Sequence, residues 1–179
     1  MLIYILVGLV VLVVVFLLVA SRRPDELRVE RRITITAPAA IAFNQINDVH
    51  KWQEISPYVK EDPAAKTSFA GPAAGVGASF AWAGNMKVGE GRMTIIESRA
   101  NELVRFKFEF FKPWYCTNTT DLIFRTTGSG TEVTWAMFMK SNFIAKASGL
   151  VMNMDKMIGH NFEDGLANLK RIAEAAAKK

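Results

Sequence analysis

The first twenty residues of the chain, from Met1 to Ala20, contain no charged residue and no proline. A helix rises about 1.5 Å per residue, so this segment would be roughly 30 Å long, which matches the hydrocarbon core of a bilayer. A secretory signal peptide would instead have basic residues before a shorter apolar stretch and a small-x-small cleavage site after it. No lysine or arginine precedes the segment, and Leu18 occupies the first small position before Ala20. The sequence predicts a retained transmembrane helix over residues 1–20, with a signal peptide as the alternative.

Five arginines follow this segment closely: Arg22, Arg23, Arg28, Arg31 and Arg32. Before the segment, the terminal amine is the one basic group. Basic residues that flank a membrane helix favour its cytoplasmic side. We therefore expect the N-terminus outside and the remainder of the chain in the cytoplasm.

The remaining part of the chain, about 155 residues, is long enough for one domain with its own hydrophobic core. The net charge of +5 is modest and spread along the chain. It suits an anionic membrane surface and argues against nucleic acid as a partner. The single cysteine, Cys116, excludes an internal disulfide framework and a multi-cysteine metal site.

The order of secondary structure is readable from the spacing of apolar residues. Alternation over 27–36 predicts a strand, Pro38 suits the first turn of a helix over about 39–47, and a second short helix over 50–54 would end before Pro57. Six further segments have the alternation and composition of strands: 66–70, 77–83, 87–97, 102–111, 115–125 and 131–140. Because the connections are short, we expect an antiparallel meander.

The C-terminal part changes to a helical period. Apolar residues recur every three or four positions from Leu150 to Ala173, with a break expected at Ser148-Gly149 or at Asn153. The sequence thus predicts an α+β domain in which a curved antiparallel sheet wraps around one long C-terminal helix.

Several local segments match a known family. They are Ile33-Thr34-Ile35-Thr36-Ala37-Pro38 with Ala42-Phe43, Asp48-Val49-His50-Lys51-Trp52, the stretch from Gly71 to Gly77, the stretch from Gly89 to Ile95, and the stretch from Phe162 to Lys170. Together they resemble the START-like superfamily, also called SRPBCC or polyketide cyclase/dehydrase-like, and most of all its membrane-anchored bacterial branch. The resemblance implies a helix-grip fold over residues 28–179, a juxtamembrane linker over 21–27, and the inner (cytoplasmic) membrane as the location.

In such folds a ligand would lie between the concave face of the sheet and the long helix. Strand alternation places Phe110 on that face, and helical spacing completes the set of candidate ligand-binding residues. These are Phe80, Trp82, Met93, Phe106, Phe108, Trp135, Met137, Met139, Met154, Ile158 and Phe162. Methionines and aromatic rings suit an adaptable apolar cavity. The same pattern also fits a packed core, since periodicity alone does not distinguish the two.

Candidates for catalysis are few. Glu90, between two glycines, would be a general acid or base if buried, although a solvent-facing position is the simpler interpretation. Asn118 alternates with threonines on a strand and is the second candidate. His50 and His160 have no carboxylate at metal-ligand spacing, so the sequence predicts neither a metal site nor a cofactor.

Three functions stay open at this point. The first is a membrane-tethered module that binds an apolar small molecule or lipid. The second is a protein-interaction or stress-related adaptor at the membrane, and the third is a cyclase- or dehydratase-type enzyme. The superfamily hosts carriers, binders, enzymes and chaperone cofactors, so the resemblance specifies the fold more closely than the chemistry. The residues favour binding over catalysis.

Overall fold

The computed structural model describes residues 1–178, apart from the side chains of residues 2 and 151. Residue 179, the last of the predicted domain, lies outside that range. The helices are α1 (Leu2–Ser21), α2 (Ala39–Asn47), α3 (Trp52–Ile55), α4 (Phe143–Val151) and α5 (Met154–Ala176). The strands are β1 (Glu26–Ile35), β2 (Lys66–Ala70), β3 (Ser79–Ala83), β4 (Glu90–Arg99), β5 (Leu103–Lys112), β6 (Cys116–Thr127) and β7 (Gly130–Lys140). Single 3₁₀ turns cover Val49–Lys51 and Pro57–Lys60.

The seven strands form one antiparallel sheet in the order β1-β7-β6-β5-β4-β3-β2. Strands β2 to β7 follow one another as the predicted meander, and β1 adds to the free edge of β7. The register pairs Glu26 with Lys140, Lys112 with Glu90, and Lys66 with Ala83. These pairs all lie at one end of the sheet, next to the end of α1, and we call it the α1 end.

Helix α5 packs across the concave face of the sheet. Its buried residues include Phe162, Leu166 and Leu169, which come from the predicted apolar stripe. The close approach of α5 to β7 depends on Gly165, because a Cβ added there would lie 2.6 Å from Cζ3 of Trp135 on β7. The curved sheet and the helix in its concavity confirm the predicted helix-grip fold.

A closed core fills the end of the concavity away from α1. Helix α2 covers this end and packs on β5 and β6. Phe43 of α2 meets Phe124 of β6 edge to face, with ring centroids 5.9 Å apart. Ile46 and Val104 are fully buried beside them. This region is therefore a packed core rather than a space for a ligand.

Helix α1 extends from the domain, with most of its side chains about half exposed. By length and composition, residues Ile3–Ser21 could cross a membrane, a property that signal sequences share. Its main contact with the domain is with α4. Lys146 of α4 pairs with Asp25 in the segment after α1, and the backbone N–H of Ser141 donates to the carbonyl of Asp25 (2.8 Å).

Element boundaries differ from the sequence expectations in a few places. Strand β4 begins at Glu90 instead of 87 because the side chain of Asn85 accepts hydrogen bonds from the backbone N–H groups of Lys87 and Val88, which closes a turn. The break before the long helix falls at Asn153, whose side chain caps α5 by accepting from the N–H of Lys156. Strand β1 already begins at Glu26, inside the segment predicted as a linker.

Candidate functional site

A cavity of about 400 Å³ lies between the sheet, α3 and α5. Its volume falls within the range of roughly 300–1,000 Å³ that is usual for small-molecule sites. It occupies the part of the concavity nearer the α1 end, beyond the closed core. The structure thus combines the two interpretations of the apolar pattern, with a packed core at one end of the sheet and a cavity at the other.

Aromatic rings from neighbouring strands form one wall. Phe108 and Phe110 project from β5, and Trp82 from β3 meets them at centroid distances of 6.3 Å and 5.6 Å. Phe80 continues this wall next to Trp82. On pleated strands every second side chain points to the same face, which brings these rings together.

The opposite wall comes from β7 and α5. Trp135, Met137 and Met139 line it from the strand, and Met154 and Ile158 line it from the helix. Phe162, also on α5, completes this wall by stacking on Trp135. The chain contains four tryptophans, and all of them line the cavity: Trp52, Trp82, Trp114 and Trp135.

Two buried polar side chains of the lining lie on β6, in the inner part of the cavity. Asn118 and Thr120 are 7 % and 3 % exposed, and the Thr120 hydroxyl donates to Oδ1 of Asn118 (3.3 Å). Within residues 1–178, the buried Nε1 of Trp135 has no hydrogen-bond partner. Buried polar groups in proteins are normally paired. The inner part of the cavity therefore offers a ligand hydrogen-bonding groups beside the apolar walls.

The two catalytic candidates lie in different surroundings. Asn118 lines the cavity, whereas Glu90 pairs with Lys112 (2.7 Å between Oε1 and Nζ) and lies outside the lining. Cys116 lines the cavity, and burial raises the pKa of its thiol, so the reactive thiolate is scarce near neutral pH. Asp62, also in the lining, accepts hydrogen bonds from the backbone N–H groups of Ala64 and Asn85.

Of the residues predicted to bind a ligand, all but Met93 and Phe106 line the cavity. Both exceptions are fully buried in the closed core. Trp52 packs on Phe106, with ring centroids 5.3 Å apart, and separates it from the open space. These two predictions are corrected because strand alternation specifies the face of the sheet but not the position along it.

Several lining residues were not predicted to contact a ligand, among them Tyr58, Val59, Pro113 and Trp114. They lie in turns and loops, where no periodicity exists to indicate an orientation. Trp52 was within a segment that carried the family resemblance, but nothing in its spacing pointed to the cavity.

The histidines take part in local contacts. His50 stacks on Phe69 (centroids 4.2 Å apart) and pairs with Asp48, and His160 lies 4.0 Å from Asp164. No group of three or more potential metal ligands occurs in the described part of the chain.

Comparison with solved structures shows the same fold in distant proteins. The di-domain aromatase/cyclase StfQ of the steffimycin biosynthetic pathway aligns with a TM-score of 0.64 at 14 % identity, covering 89 % of this chain and 54 % of StfQ. A protein of Chromobacterium violaceum aligns with a TM-score of 0.58 at 12 % identity, covering 85 % of this chain and 99 % of that one. The Aha1 protein of Colwellia psychrerythraea aligns with a TM-score of 0.57 at 16 % identity, covering 83 % and 96 %.

No curated protein matches the sequence. The family model described as "polyketide cyclase / dehydrase and lipid transport" matches residues 26–174, which is most of the chain. This match confirms the START-like, SRPBCC superfamily predicted from the sequence, and together with the fold it supports a ligand-binding domain. The chain belongs to the polyketide cyclase / dehydrase and lipid transport family.

Proposed function

We propose that the protein is a membrane-anchored module that binds one apolar small molecule or lipid in the cavity between the sheet and α5. The observation that carries this proposal is the composition of the wall. Four tryptophans, three phenylalanines beside them on β3 and β5, and the methionines of β7 surround the same space. Burying an apolar ligand against such a surface is favourable by about 25 cal/mol per Å² of apolar area removed from water.

The arrangement also suggests how the ligand lies. Its apolar body would contact Trp82, Phe108 and Met137, and a hydrogen-bonding group would reach Asn118 and Thr120. An amide and a hydroxyl side by side can both donate and accept. A mainly apolar molecule with one carbonyl, hydroxyl or carboxyl group is the chemical class that fits.

Binding without catalysis is the simpler function for this set of residues. A general acid or base must reach the reacting atoms. Glu90 is engaged with Lys112 outside the lining, and Asp62 is held by two backbone N–H groups. Asn118 alone does not supply proton transfer. Because neither carboxylate is free to transfer a proton, binding is favoured over a cyclase- or dehydratase-type activity.

We also propose that residues 1–20 form a retained membrane anchor, and that a short linker connects this anchor to the domain. A cytoplasmic domain at the inner membrane is the topology that the arginines after α1 support. The intact mass of the protein isolated from membranes distinguishes an anchor from a signal peptide. The full-length mass supports the anchor, and a mass lacking about the first twenty residues contradicts it.

Ligand binding is tested by tryptophan fluorescence, because every tryptophan lines the cavity. Residues 24–179 would be titrated with cis-parinaric acid, a fluorescent fatty acid that accepts energy from tryptophan. We expect saturable quenching at one site per chain. Met139→Glu places a negative charge on the cavity wall that repels the carboxylate of the probe and should abolish it, whereas Phe138→Glu, the neighbour on the opposite face of β7, should not. Equal quenching in both variants would contradict the proposal.

A further inference from the structure

We infer that the mouth of the cavity docks on the bilayer in which α1 is anchored, so that ligand passes between lipid and cavity without crossing water. This inference rests on the proposed membrane anchor and adds an interaction surface to it. Three observations carry it: where the mouth lies in the sheet, what rims it, and how the domain is held to α1.

The mouth lies at the α1 end of the sheet. Cys116, at the start of β6, pairs with Phe110 near the end of β5, and Met139, near the end of β7, pairs with Leu27 at the start of β1. Cys116, Phe110 and Met139 line the cavity. Leu27 follows α1 by only a few residues. The sheet topology therefore directs the open part of the cavity toward the membrane helix.

The loops at this end expose large apolar side chains, which we call the rim: Met86 before β4, and Trp114 and Tyr115 between β5 and β6. They are 82 %, 80 % and 74 % exposed, and Trp114 also lines the cavity. Exposed tryptophan and tyrosine are costly in water but favoured at the lipid headgroup level, where the ring is buried and its polar atom stays hydrated. A bilayer surface is thus the partner that this rim fits.

The connection to α1 is short and fixed. Four residues, 22–25, separate α1 from β1, and even when fully extended they span about 14 Å. The Lys146–Asp25 pair and the contact of α4 with α1 hold the domain against the end of the membrane helix. Ile144, also on α4, is 73 % exposed. The α1 end of the sheet therefore cannot move far from the headgroups.

Together these features give the domain one orientation, with the rim in the headgroup region and the β6–β7 turn at the far end in water. An apolar ligand would leave the acyl chains past Trp114 and enter the cavity directly. Lys87 and Lys112 at the mouth are both exposed, and each pairs with a carboxylate, of Glu61 and of Glu90.

The test measures the depth of labelled positions in the full chain. The protein, with Cys116→Ser, is reconstituted in vesicles of phosphatidylethanolamine and phosphatidylglycerol, and an environment-sensitive fluorophore is attached after Met86→Cys, Gly128→Cys or Leu12→Cys. Lipids with spin labels on their acyl chains then quench the fluorophore according to its depth. Position 12 reports the anchor, position 86 the rim, and position 128 the far end of the sheet.

We expect the label at position 86 to be quenched several-fold more strongly than the label at 128. Adding Trp114→Glu should bring the quenching at 86 down to the value at 128, while Ile96→Glu, an exposed apolar residue away from the rim, should leave it unchanged. Equal quenching at 86 and 128, with position 12 still quenched, would overturn the docking and leave the anchor intact. An unquenched label at 12 would contradict the anchor and the docking with it.

Discussion

The indole ring of Trp135 on β7 stacks on the phenyl ring of Phe162 on α5, with centroids 4.8 Å apart and ring planes inclined by 12°. Both rings also line the cavity. The stack therefore has two roles, since it attaches the long helix to the sheet and separates the closed core from the open space. Its geometry depends on Gly165, one turn further along α5.

Replacing this glycine tests the close packing of the helix. In Gly165→Ala the new methyl group would meet Trp135 at 2.6 Å, and the ring cannot yield easily because it is stacked on Phe162. Overpacking costs about 1–3 kcal/mol, against a gain in helix propensity of about 1 kcal/mol. We expect a net loss of up to about 2 kcal/mol in urea unfolding of residues 24–179.

The control is Gly128→Ala in the β6–β7 turn, where nothing lies within 4 Å of the added atom. Its unfolding free energy should change by no more than about 0.5 kcal/mol. A Gly165→Ala variant as stable as the natural protein would show that Trp135 and α5 are not held as described.

Lysine should replace Arg31 only with a loss of stability. Its Nε donates to Oε1 of Glu163 (2.7 Å) and its Nη2 donates to Oδ2 of Asp155 (3.0 Å), so one planar group ties β1 to two turns of α5. A lysine ammonium lacks this fork. Because both carboxylates are more than half exposed, we expect Arg31→Lys to lose about 1 kcal/mol in urea unfolding. Arg99→Lys, in an exposed pair with Glu97 that rests on Nε alone (3.3 Å), is the control, and an equal effect of both substitutions would contradict the prediction.

Cys116 provides a native probe of the cavity. Because burial raises the pKa of its thiol, a smaller fraction of Cys116 is thiolate at a given pH in the folded protein than in the unfolded chain. The rate of labelling with N-ethylmaleimide at pH 8 should be lower than that of the urea-unfolded chain, and it should still rise with pH beyond the range in which the unfolded thiol has fully ionised. The same rate profile in folded and unfolded protein would place Cys116 in water rather than in the wall.

The pH dependence of stability should depend in part on Glu109. Hydrogen bonds from Lys107 and then Arg92 hold the pKa of this carboxyl below its usual value, while in the unfolded chain it is ordinary. A lowered folded-state pKa gives a contribution that is present above the unfolded pKa, about 4.3, and is lost as the pH falls through the folded pKa. The stability difference between the natural protein and Glu109→Gln should therefore be constant near neutral pH and shrink below about pH 4.

Urea unfolding across a pH series measures this difference, with Glu102→Gln in the exposed β4–β5 turn as the control. If the difference in unfolding free energy between the natural protein and Glu109→Gln stayed the same in strong acid, the Glu109 carboxylate would not be what stabilises this part of the sheet.

Much of the fold could be predicted because each element has a clear period. The helix predicted over 39–47 coincides with α2, and the six later strands were predicted within a few residues of their observed positions. The helix-grip arrangement follows from one apolar helix after an antiparallel meander. The boundary errors fall where side chains such as Asn85 compete with the strand for backbone hydrogen bonds.

The cavity was less predictable. Alternation identified the face that Trp82, Phe108 and Met137 share, but Met93 and Phe106 lie on the same face and are sealed in the core. Whether a residue meets open space depends on what covers it, and Trp52 covers Phe106 from a distant part of the chain. The rim was not predicted from the sequence because Trp114 lies in a loop, where the residues have no repeating pattern.

An apolar ligand held in the cavity would be detected by native mass spectrometry of residues 24–179 purified from cells, followed by extraction and identification of whatever is bound. The natural domain would be compared with Met139→Glu, using Phe138→Glu as the matched control. We predict one apolar molecule per chain in the natural domain and in the control, and none in Met139→Glu. A folded natural domain that is empty, or that carries the same molecules as Met139→Glu, would contradict ligand binding in the cavity.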